Sequence, residues 1–151
     1  MITPIDKNQE GLILITGPTR SGKSKLAEFL IKEQDAVTYI ATSKPRQNDP
    51  DWVRRMNVHR NRRPDCWSLI EHPIDICNVI ESLGCHDSIL IDSLGGIVEQ
   101  HLIKKNTQWE LFQENFLNCL IDNDSCIVVV SEEVGWGIVP STPIGHLFRE
   151  R

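Results

Sequence analysis

The chain has 151 residues, of which 40% are hydrophobic and 25% charged, and its formal net charge is −5. That length and balance suit one domain with a core of its own, which excludes disordered, collagen-like and membrane-spanning classes. A negative chain also lacks the surplus of Lys and Arg that general nucleic-acid binding needs to displace counterions, and no apolar run approaches the roughly 20 residues that cross a bilayer.

Residues 1–10 carry no basic region followed by an apolar stretch, and they read as a flexible extension ahead of a single domain over residues 11–151. Leu12-Ile13-Leu14-Ile15-Thr16 is a continuous apolar run, as expected of a strand covered on both faces. It leads into Gly17-Pro18-Thr19-Arg20-Ser21-Gly22-Lys23-Ser24, a complete G-x-x-x-x-G-K-[ST] phosphate loop. Glycines let backbone N–H groups close on phosphate oxygens, the next helix aims its positive end at the same anion, and Lys23 adds a mobile charge. Ser24 can place its hydroxyl on a magnesium ion bridging the phosphates. In the helix that follows, Leu26, Ala27, Leu30 and Ile31 form the apolar stripe, with Lys25, Glu28 and Lys32 on the other side.

Val37-Thr38-Tyr39-Ile40-Ala41 reads as a second strand. Asn48-Asp49-Pro50 then starts a helix running from Asp51 to about Arg62. Arg54, Arg55, Arg60, Arg62 and Arg63 make this region basic, and Met56, His59 and Arg63 can share one helix face. Charge pattern alone leaves open whether that face is merely solvated. Further helical patterns cover Ile74 to Leu83 and Trp109 to Ile121, the latter starting near Asn106-Thr107. Ser88-Ile89-Leu90-Ile91-Asp92 and Cys126-Ile127-Val128-Val129-Val130-Ser131 read as strands. Leu147 to Arg151 looks like the middle of an amphipathic helix, so the domain reads as truncated at its C-terminus. Cys66, Cys77, Cys85, Cys119 and Cys126 are an odd set without a C-x-x-C pair, which suits reduced thiols in the cytoplasm.

Strands alternating with helices imply parallel pairing in a three-layer α/β domain, a P-loop NTPase with a mainly parallel sheet. The separation of the loop from Asp92 leaves room for one intervening strand, as in the RecA-like branch. Ligands collect at the carboxyl ends of such strands, where Asp92 can help Ser24 hold Mg2+. Glu132 and Glu133 follow the last strand and precede Gly135 and Gly137; one of them is expected to face the nucleotide.

Four elements resemble the bifunctional adenosylcobinamide kinase/adenosylcobinamide-phosphate guanylyltransferase family: Gly17 to Ser24, Tyr39-Ile40-Ala41-Thr42-Ser43, Arg55-Met56-Asn57-Val58-His59-Arg60-Asn61-Arg62-Arg63-Pro64, and Glu133-Val134-Gly135-Trp136-Gly137-Ile138-Val139-Pro140. The resemblance implies an enzyme of cobalamin nucleotide-loop assembly. Such an enzyme phosphorylates adenosylcobinamide and then transfers GMP from GTP onto adenosylcobinamide phosphate. It implies a guanylylated histidine at His59, with Lys23, Arg60 and Arg63 offsetting phosphoryl charge and Arg62 a weaker candidate. It also implies GTP and ATP as substrates, Mg2+, a homo-oligomer, and Glu133 as the carboxylate of the last element. Family members commonly have Asn where this chain has Glu132. Two other readings stay open: a monofunctional P-loop kinase of a small molecule, and a non-catalytic nucleotide-binding remnant.

Overall fold

The computed structural model describes residues 2–7, 9–84 and 87–151, so Cys85 lies outside the described residues. Five strands, β1 (Gly11–Gly17), β2 (Val37–Ala41), β3 (Ser68–Glu71), β4 (Ser88–Asp92) and β5 (Cys126–Glu132), form one parallel sheet in the order β1-β5-β4-β2-β3. Six helices flank or follow them: α1 (Lys23–Ile31), α2 (Pro50–Arg62), α3 (Ile76–Ser82), α4 (Leu94–His101), α5 (Asn106–Ile121) and α6 (Pro143–Glu150). β5 separates β1 from β4, which is the RecA-like spacing expected between the loop strand and the strand that ends at Asp92.

Side-chain alternation sends each central strand into two cores. Val128 and Val130 of β5 pack with Ala27 and Ile31 of α1 on one face. Ile127 and Val129 meet Ile80 of α3 and Phe116 and Leu120 of α5 on the other. Each such apolar side chain contributes about 1.5–3 kcal/mol when buried, which is why β4 and β5 are apolar throughout. β1 lies at the sheet edge with Leu12 and Leu14 exposed, so it is not the strand covered on both faces that its apolar run predicts.

Two further expectations change. Residues 2–7 are not a loose extension: Ile5 is buried against the α1 core, its N–H donates to Leu30 O (2.8 Å), and Gln34 Nε2 donates to Asp6 O (3.0 Å). Glu28 is not on a solvated face but is 8% exposed. Two elements are also added. β3 is a four-residue edge strand with polar ends, too short to show alternation. α4 begins Leu94-Gly95-Gly96, and paired glycines argue against a helix on propensity alone.

Close packing explains Gly96. A Cβ there would lie 2.7 Å from the Thr42 carbonyl carbon and 2.8 Å from Ser43 N, both backbone atoms that cannot swing aside. Gly96→Ala is therefore expected to cost about 2–3 kcal/mol, seen as a Tm lower by about 5–10 °C. An unchanged Tm would mean that α4 can retreat freely.

Candidate active site

Parallel strands put all their carboxyl ends on one side, so Gly17, Ala41, Glu71, Asp92 and Glu132 end along a common edge. The loop between β1 and α1 turns there. Gly22 has φ +91°, a left-handed conformation that favours glycine, and it directly precedes α1. Lys23 Nζ donates to Pro18 O (2.8 Å), and Gly17 O accepts from Glu133 N (3.0 Å), bracing the loop from both ends. Thr19, Arg20, Ser21, Gly22, Lys23 and Ser24 line a cavity of about 450 Å³. His59, Arg60, Arg62, Arg63 and Asp92 face the same cavity.

The Tyr39 to Ser43 element gains a physical meaning here. Tyr39 OH donates to Asp92 Oδ2 (2.5 Å). Burial first, and Asp92 second, push the Tyr39 phenol far above its ordinary pKa, so it remains a donor at every physiological pH. Thr42 is fully buried; its Oγ1 donates to Ser93 O (2.6 Å) and accepts from Ser93 N (2.8 Å). Together these bonds fix Asp92 and the turn after it from the neighbouring strand.

α2 is capped by Asp49, whose carboxylate accepts from the N–H groups of Asp51 and Trp52 (3.0 Å each), with Pro50 at the first position. It buries no residue in the core and lies over the cleft through polar contacts. Arg62 donates twice to Glu28 of α1, Nε to Oε2 at 2.5 Å and Nη2 to Oε1 at 2.7 Å. The same Nη2 lies 3.3 Å from His59 Nδ1. That nitrogen is also 4.0 Å from Glu28 Oε1 and 4.0 Å from Asp92 Oδ2. Burial lowers the His59 pKa below 6.5, and Arg62 and Arg63 act the same way, while Asp92 and Glu28 oppose them. The imidazole is thus neutral at pH 7.

Arg63 stacks 4.2 Å over the Tyr39 ring, and its Nε donates to His59 O (3.1 Å). Its Nη1 is buried with no partner among the described residues, a donor suited to an anionic oxygen. Arg60 reaches Glu71 at 3.5 Å across the cavity mouth, with both groups largely exposed. Arg62, the weaker candidate from sequence, is the arginine beside the histidine ring, whereas Arg63 bonds its backbone.

Glu133 departs from expectation. Its Oε1 accepts from Trp136 N (2.7 Å), so the carboxylate turns into its own loop and does not line the cavity. Glu132 lines it instead, bonding the Ser93 hydroxyl and accepting from Gly95 N (3.0 Å) at the start of α4. Glu28 and Tyr39 were likewise missed as site residues. Glu28 meets Arg62 from 34 positions away, a distance no local pattern spans.

A phosphate loop after the first strand, an acidic residue two strands away at the same sheet edge, and cationic side chains over both define a P-loop nucleotide-binding protein with a RecA-like sheet. The cobinamide kinase / cobinamide phosphate guanyltransferase family model matches residues 13–151, and the chain belongs to that family. It is 37% identical over 139 residues to the bifunctional adenosylcobalamin biosynthesis protein CobP of Pseudomonas aeruginosa, covering 90% of this chain and 78% of the relative. It is 31% identical to the bifunctional adenosylcobalamin biosynthesis protein CobU of Escherichia coli and to that of Salmonella typhimurium. Each of those matches covers 92% of this chain and 84% of the relative.

Proposed function

We propose that this chain phosphorylates adenosylcobinamide and then transfers GMP from GTP to adenosylcobinamide phosphate, giving adenosylcobinamide-GDP. The observation that carries the reading is the position of the His59 ring in the cavity of the phosphate loop, beside membership of the family. In the kinase step the loop holds the β and γ phosphates of GTP or ATP while the acceptor hydroxyl attacks the γ-phosphorus and a nucleoside diphosphate leaves. In the second step an imidazole nitrogen attacks the α-phosphorus of GTP, the bond to the β-phosphate breaks, and pyrophosphate departs with the electron pair. The acceptor's phosphate oxygen then attacks the same phosphorus, the P–N bond breaks, and the neutral ring returns.

The His59 tautomer matters. A guanidinium cannot accept a hydrogen bond, so Arg62 beside Nδ1 makes Nδ1 the acceptor and places the ring proton on Nε2. Nδ1 is walled by Arg62, Glu28 and Asp92, which leaves Nε2 as the attacking atom once the proton sits on Nδ1. A carboxylate must then take that N–H, and Glu28 is placed to do so if Arg62 turns toward phosphate.

Lys23, Arg60, Arg63 and Arg62 offset charge on the transferring phosphoryl groups. One hydroxyl, Ser24, and one carboxylate, Asp92, suit a magnesium ion that takes its remaining ligands from phosphates and water. Bound there, the ion would neutralise oxygen charge on the phosphates. Among the described residues no helix is long and apolar enough to cross a membrane, and work in the cytoplasm as a homo-oligomer fits the reading.

The test is pyrophosphate release from GTP. Without acceptor, about one equivalent per active chain is expected; with cobinamide phosphate, release continues and cobinamide-GDP accumulates. Thermal stabilisation by GTP with no pyrophosphate at all would leave a nucleotide-binding remnant in its place.

A further inference from the structure

A second cavity of about 710 Å³ lies beside the phosphate cavity. The two share a wall made of Ser43, Glu132 and one face of α2, and that face carries Trp52, Arg55, Met56 and His59 at helical spacing. Beyond the wall the surroundings change from cationic to apolar. Val134, Ile138 and Pro140 of the loop after β5, with Ile144 and Phe148 of α6, line the far side.

The loop itself gives an independent sign that something binds there. Ile138 is 98% exposed, so its side chain adds nothing to the core. Yet the loop is held in place: Arg149 of α6 donates to the carbonyls of Gly135 and Gly137, and Glu133 accepts from Trp136 N. A fixed loop that presents an apolar side chain to a cavity suits a ligand with an apolar surface. Charge lies in the shared wall, at Arg55 and Glu132, and around Arg46, which pairs with Glu99 (2.9 Å), and Arg149, which crosses the loop.

We propose that this second cavity seats the acceptor, a large amphipathic macrocycle whose arm carries the reacting hydroxyl or phosphate. This rests on the transferase reading, because a two-sided wall has a use only if a group is received on one side and delivered on the other. His59 stands in that wall. A triphosphate on the loop side presents its α-phosphorus to the ring, and an acceptor on the apolar side reaches the same ring without displacing the loop's contents. The apolar floor carries the macrocycle, and the arm runs past Met56 and Glu132 toward the phosphate cavity.

The experiment uses cobinamide itself, followed by its visible absorption in equilibrium dialysis against the full chain, with GTP binding measured in parallel. Ile138→Asp and Phe148→Asp are expected to weaken cobinamide binding about tenfold or more while GTP binding is unchanged. Ile103→Asp, at a residue 94% exposed and outside the cavity, should match wild type. If wild type binds cobinamide and both cavity variants bind it equally well, the cavity assignment is overturned. If wild type binds GTP but no cobinamide, the functional reading fails and the cavity falls with it. If Ile138→Asp keeps cobinamide binding but alters the sedimentation coefficient, the cavity is an interface between copies of this chain, and the proposal is again overturned.

Discussion

A chain with Ala in place of His59 is expected to take no covalent label from α-labelled GTP, whereas wild type acquires an acid-labile, base-stable one. No other imidazole lines the phosphate cavity among the described residues, so a label that resists base but not acid and survives in the variant would sit on an amine such as Lys23 or Lys25. Phosphorylation of cobinamide should survive, falling by less than about tenfold, because γ-transfer draws on the loop rather than on the ring. The pH dependence follows from the same environment. Only the neutral ring attacks, and burial holds its pKa below 6.5, so labelling should stay level from pH 7 upward and fall with a midpoint under 6.5. Label that persists in His59→Ala would remove this residue from the mechanism and favour the simple kinase.

Glu28→Gln is expected to slow labelling by about 10²- to 10³-fold, because an amide oxygen is a poor partner for the Nδ1–H that attack requires. The variant keeps the shape of the side chain, but it also removes the charge that offsets Arg62, and breaking a mostly buried pair costs about 3 kcal/mol. Rate alone would not separate these effects; the pH midpoint does. Glu28 raises the imidazole pKa and Arg62 lowers it. The labelling midpoint should therefore move down in Glu28→Gln and up in Arg62→Ala. The groups facing the ring are Glu28 of α1, Asp92 of β4, Arg62 of α2 and Arg63 just after it, with Tyr39 bonded to Asp92 behind them. Midpoints that stay fixed in both variants would reduce the Glu28–Arg62 pair to a structural clamp between α1 and α2.

What could be read from the sequence was set by the range of the forces involved. The loop from Gly17 to Ser24 is legible because its geometry demands particular residues at fixed offsets. β2, β4 and β5 are legible because strands covered on both sides are apolar throughout. Asp49-Pro50 announces α2 through its own cap. β3 and α4 escape for opposite reasons: Ser68–Glu71 is too short to show a period, and Gly95 and Gly96 serve close packing at the cost of helix propensity. The site divides in the same way. Lys23, Ser24, His59, Arg63 and Asp92 stand in local patterns and come together at one sheet edge. Glu28 reads as a solvated helix residue because its partner is remote in sequence. Glu132 and Glu133 are adjacent carboxylates, and the turn at Trp136, not the strand, decides which one points inward.

The bond from Tyr39 to Asp92 also bears on ion choice. With the phenol occupying Oδ2, this carboxylate has its Oδ1 left to offer without competition. Calcium commonly spreads over both oxygens of a carboxylate and gathers six to eight ligands, whereas magnesium accepts one oxygen and keeps its water. For the ion proposed between Ser24 and Asp92, a single tyrosine hydroxyl on the neighbouring strand would thus favour the smaller cation, without touching the ion itself.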